Sequence, residues 1–73
     1  MNPVFLNIRV GKTYRITNYG EKTEFKVLKR ISEDNFRVKN TLTLEDFDLA
    51  DLIQFGKGPD FSIKERSTYN GFQ

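Results

Sequence analysis

Apolar and polar positions alternate through most of the chain, and the alternation breaks where turn-forming residues intervene. Val4, Leu6, Ile8 and Val10 share one parity and predict an N-terminal extended segment that ends at Gly11. Tyr14 and Ile16 resume the pattern over residues 13–17. The run from Asn18 to Lys22 then reads as a turn, with Gly20 free to take positive φ. A longer strand is expected over 23–31, where Phe25 and Val27 share a face but Leu28 and Ile31 fall out of step. A bulge or strong bend near Leu28 restores the alternation. Ser32, Glu33, Asp34 and Asn35 predict a tight hairpin turn with Asn35 as its left-handed residue. Phe36 and Val38 then point inward, and a second tight turn at Asn40 and Thr41 leads into a short strand at 42–44.

Beyond that the period changes. Leu49, Leu52 and Ile53 fall at i, i+3 and i+4, which predicts a helix over 49–55. Asp48 is placed to cap it, Asp51 occupies the capping-box position, and Phe47 and Leu52 form the matching hydrophobic staple. Gly56 closes the helix, and residues 56–59 form a loop. Phe61 and Ile63 mark a last strand over 60–66. Residues 67–73 follow no period and are expected to be a frayed tail, leaving 1–66 as a single domain.

Hairpin-joined strands, a short helix and one last strand leave no crossover helices, so parallel pairing is not expected. Five short antiparallel strands with one apolar face are predicted to curl into a barrel. The opening strand Val10 to Ile16, the long 23–31 strand, the 32–35 turn and the short helix before the last strand together resemble the SH3-like barrels, a superfamily that includes Tudor-type domains. The resemblance covers residues 10–66. It implies a mostly-β, five-stranded antiparallel SH3-like barrel with one short helix before the last strand, and binding rather than catalysis. The chain departs from peptide-binding SH3 domains in having no Trp and no acidic-aromatic loop, so recognition of proline-rich peptides is not expected. The OB-fold is the alternative, although it places its helix after the third strand.

With 73 residues the chain makes one domain, which buries only about 60% of its unfolded surface and has little room for a deep, water-excluding pocket. It contains neither Cys nor His, which removes disulfides, thiolate metal sites and any imidazole acid, base or ligand. Ser32, Ser62, Ser67, the lysines and the carboxylates show no spacing that singles out a nucleophile, so no enzyme activity and no cofactor are expected. Glu45, Asp46, Asp48 and Asp51 lack the ligand spacing of a calcium loop, and they read instead as acids complementing a helix N-terminus. No apolar run reaches the length of a membrane span. The segment Val4 to Ile8 lacks the flanks of a signal peptide, so a cytoplasmic location without membrane contact is expected.

The net charge of +2 is unevenly distributed. Residues 1–30 are strongly basic and the remainder is acidic, which can steer a charged partner or simply neutralise across the fold. Lys26, Lys29, Arg30, Arg37 and Lys39 lie on two adjacent predicted strands. Read functionally they form a nucleic-acid site, with Tyr19 at a loop tip available to stack a base; otherwise they are the solvated face of a half-buried sheet. Tyr14, Tyr19, Phe36, Phe47 and Phe61 are numerous enough for an aromatic cage, but Phe25, Phe36 and Phe61 are needed inside. Phe55 lies off the Leu49, Leu52 and Ile53 stripe. It is either an interface anchor beside a glycine-flanked loop or a second core layer under the last strand. Phe55, Lys57 and Tyr19 are therefore the candidates for contact with a protein partner. The expected function is a non-catalytic binding or accessory module engaging such a partner, with weak nucleic-acid binding through the 23–39 hairpin as the alternative. The chain is expected to be a monomer or a weak homodimer paired through the 60–66 edge.

Overall fold

Alternation sets the first hairpin. In the computed structural model, which describes residues 7–66, strand β1 (Thr13–Asn18) pairs antiparallel with β2 (Glu21–Ser32). Tyr14 faces Phe25, Ile16 faces Thr23 and Asn18 faces Glu21. The two connecting residues, Tyr19 and Gly20, both take positive φ, 51° and 79°. That is the primed turn whose twist matches the strands it joins.

The second half of β2 pairs with β3 (Asn35–Asn40), and the expected bulge is present: Val27 faces Val38, Lys29 faces Arg37, and Leu28 is the extra residue. The same bulge sets Arg30 opposite Phe36, and a second register shift, which the alternation did not predict, follows between Arg30 and Ser32. The Arg30 guanidinium lies 4.8 Å from the Phe36 ring centroid. Asn35 does not adopt the expected left-handed conformation. Without positive φ the 32–35 turn lacks the strands' own twist, and the neighbouring bulge absorbs the mismatch. The Asn35 side chain instead accepts hydrogen bonds from the backbone N–H groups of Phe36 (2.9 Å) and Ala50 (3.0 Å).

The fourth strand is β4 (Asp46–Asp48), not the expected 42–44. Asn40 Oδ1 accepts from the N–H groups of Leu42 (2.7 Å) and Thr43 (2.9 Å), and this local turn outcompetes strand pairing. Leu44 is left at φ 66°, and both leucines face water. The predicted two-turn helix is a shorter 3₁₀ turn, Leu49–Ile53. Asp48 makes no capping bond: its carboxylate faces Arg37, and the Ala50 N–H is taken by Asn35.

Strand β5 (Ser62–Arg66) returns to pair with β1, giving one antiparallel sheet in the order β4-β3-β2-β1-β5. β4 and β5 remain as its edges, and the sheet is not closed into a barrel. One face carries the core of Tyr14, Ile16, Phe25, Val27, Phe36 and Val38, with Leu49 and Ile8 packed onto it. Phe47, Leu52, Ile53, Phe61 and Ile63 surround that core half-buried. The Tyr14 and Phe25 rings stack at 6.0 Å. The expected N-terminal strand is not formed over residues 7–12, which run as turns and irregular chain, although Ile8 is buried. Val4, Leu6 and the 67–73 segment lie outside the described residues. Among the described residues no helix is long and apolar enough to cross a membrane.

Candidate functional site

The last inward position of β1 is polar. Asn18 is buried among apolar neighbours, and its amide is fully used. Nδ2 donates to the carbonyls of Leu52 (3.3 Å) and Gly56 (3.1 Å), and Oδ1 accepts from the Gly58 N–H (2.7 Å). One side chain thus fastens the 3₁₀ turn and the following loop to the β1–β2 hairpin. Asp60 ties the same two segments from the opposite direction. Its carboxylate oxygens accept from the N–H groups of Tyr19 and Gly20, each at 2.8 Å. These bonds hold the Asp60 carboxyl below its ordinary value of 3.8. The Gly20 N–H is the largest contributor, partial desolvation opposes it, and the N–H groups of Tyr19 and of Asp60 itself add to the lowering.

This bracing brings together the three residues expected to meet a protein partner. The Tyr19 ring lies flat against Gly58, where an added Cβ would sit 2.8 Å from Cδ1. Its hydroxyl donates to the Phe55 carbonyl at 3.4 Å. Lys57 Nζ lies 5.5 Å from the centre of the Phe61 ring. Phe55 itself is 84% exposed, so it is not a second core layer; Phe61, Leu52 and Ile53 occupy that role. Beside Tyr19 and Phe55 opens a cleft of about 240 Å³. Ile16 and Leu52 supply its apolar lining, and Glu21 and Asp51 place carboxylates at it. Tyr19 holds left-handed φ although it is not glycine, an arrangement that costs about 1–2 kcal/mol.

The predicted basic residues divide. Lys26 stands directly opposite Lys39 and Lys29 directly opposite Arg37, so the bulge does place these four on the outer face of the sheet. Arg30 does not join them; it turns to Phe36. Arg37 and Lys39 are ion-paired with Asp48 (3.2 Å) and Asp46 (2.9 Å), the residues facing them on β4. Asp48 Oδ1 is buried, and the guanidinium is its nearest cation without donating it a hydrogen bond. The pairing register extends the outer face with Lys22, with Arg15 of β1, and with Lys64 and Arg66 of β5. Arg15 and Arg66 both approach Glu24 at 3.7 Å. The outer face therefore gathers most of the 12 Lys and Arg side chains, and of the 10 carboxylates only Glu24, Asp46 and Asp48. Lys22 shares β2 with Lys26 and Arg15 lies on the adjoining hairpin strand, whereas Lys64 and Arg66 come beside them only through the strand order.

The other candidate chemistries do not assemble. Tyr14 and Phe36 are buried in the core while Tyr19 stands at the hairpin tip, so the five rings form no cage. Among the described residues no group of three or more Asp or Glu is gathered to hold a metal ion. Asn18 and Asp60, which brace the site, carry no local signal of that role, since their partners lie some forty residues away along the chain. No protein-family model, curated protein or solved structure matches the chain.

Proposed function

We propose that this chain is a non-catalytic cytoplasmic binding module, SH3-like in type, that engages a protein partner through Tyr19, Phe55 and Lys57 and the cleft beside them. The observation that carries this reading is a phenylalanine left 84% exposed on a loop that Asn18 and Asp60 hold in place. Burying such a ring contributes about 1.5–3 kcal/mol, and a braced loop loses little further freedom when a partner covers it. The strain at Tyr19 supports the same conclusion, because a hairpin tip has no need of an aromatic ring for its own sake. The cleft is smaller than the roughly 300–1,000 Å³ of small-molecule sites, and it suits a side chain presented by a protein. The SH3-like type is supported by the strand order, in which the last strand follows a 3₁₀ turn and returns to the first.

The test is affinity capture with three baits: the wild-type chain, Phe55→Ala, and Leu42→Ala as an exposed apolar control outside this surface. The expected result is a protein retained by wild type and by Leu42→Ala but lost with Phe55→Ala, at unchanged melting temperature. Equal retention by all three would overturn the assignment.

A further inference from the structure

Directly opposed like charges destabilise a strand pair, and β2 and β3 carry two such oppositions in succession, Lys26 with Lys39 and Lys29 with Arg37. β4 relieves them from one side only. Asp46 and Asp48 neutralise the β3 members, whereas Lys26 and Lys29 are exposed and make no ion pair among the described residues. The cationic row continues across β1: Thr13 stands opposite both Lys26 and Arg66. Most of the remaining carboxylates lie off this face, so a chain with a net charge of only +2 presents one distinctly cationic surface. Small domains are marginally stable. Stacked cation pairs that oppose folding are explained when a polyanion completes them.

We propose that the outer face of the sheet binds the phosphate backbone of a double-stranded nucleic acid, independently of the Phe55 surface and without reading base sequence. A duplex fits better than a single strand. Single-strand sites combine cations with rings that stack bases. Here the rings of the described residues lie in or against the core, or at the Tyr19–Phe55 end. A sheet face on which cations outnumber carboxylates, and which carries no ring among the described residues, makes backbone contacts, which position a duplex but carry no sequence information.

The test is fluorescence anisotropy of the full chain with labelled duplexes of mixed sequence. Binding is expected at about 50 mM salt and should weaken about 40-fold by about 200 mM, the slope for roughly three neutralised phosphates. Lys26→Glu/Lys29→Glu turns both like-charge pairs into opposite-charge pairs. This variant should melt at the wild-type temperature or above it, yet bind the duplex at least about tenfold more weakly. Arg9→Glu/Lys12→Glu removes the same charge from two exposed residues off this face and outside the Phe55 surface, and should bind within about twofold of wild type. Absence of binding at low salt overturns the proposal, as does equal loss in both double variants or a lowered melting temperature in the first. Preferential binding to phosphatidylserine-containing vesicles that is lost in Leu42→Ala/Leu44→Ala also overturns it, since the exposed 41–44 turn would then be a membrane anchor.

Discussion

Asn18 and Asp60 show how two polar side chains shape a surface that neither forms. The Asn18 amide satisfies two carbonyls and one N–H of the 3₁₀ turn and loop, all from a buried position. Asn18→Leu fits the apolar face but orphans those groups, each worth about 1–3 kcal/mol when buried without a partner. We expect a loss of at least about 1 kcal/mol in urea unfolding, together with faster amide exchange at Gly58. Asp60 acts through charge. Its folded-state value lies below that of the unfolded chain, so the unfolded chain binds more protons between the two values. The stabilisation is therefore complete above the unfolded value and is lost as pH falls through the folded one. Melting temperatures followed through the carboxylate range should fall more steeply for wild type than for Asp60→Asn, whose amide does not titrate there. Parallel curves would show that the Tyr19 and Gly20 N–H groups do not depend on the charge.

At the scale of elements, turn chemistry decided which alternating runs became strands. The bulge at Leu28 was readable because Leu28 falls out of step with the Phe25 and Val27 face, and an extra residue there restores the alternation. The 42–44 strand was misread because two leucines in a three-residue run look the same whether they are paired or stand on an Asn-initiated turn. Only the Asn40 bonds to Leu42 and Thr43 separate the two cases. The helix shortened at its C-terminal end, where the Gln54 and Gly56 N–H groups bond to carbonyls three residues back and Asn18, a residue of another strand, takes the Leu52 carbonyl. The β1–β2 turn gives the sharpest element-level prediction. Both connecting residues need positive φ, which Asn and Gly adopt readily and Tyr does not. Tyr19→Asn should stabilise the hairpin by up to about 1 kcal/mol while abolishing capture of the protein partner. If stability falls instead, the Tyr19 ring contributes more through Gly58 than its backbone strain costs, and the residue is structural.

At the scale of the whole molecule, both sheet edges bear on whether it pairs with its copies. β4 is three residues long and two of them are aspartates. β5 exposes Lys64, Glu65 and Arg66 in succession. The cationic face between these edges could not be read in full from the chain, because Lys64 and Arg66 join Arg15 and Lys26 only through the return of β5 to β1. That same return makes β5 an edge, the position at which pairing into a homodimer was expected. Charges on an edge oppose such pairing. The antiparallel register that matches all five residues of two β5 strands sets Lys64 against Lys64, and directly opposed like charges are unfavourable. Sedimentation equilibrium should therefore return a monomer mass, with no increase across the accessible concentration range. Lys64→Val removes the opposed cations and lengthens the apolar run begun by Ile63, so this variant should self-associate, more strongly as salt is raised. Should wild type dimerise while Lys64→Val does not, β5 would be an interface held by Lys64, and the cationic face would be divided between two copies instead of lying open on one.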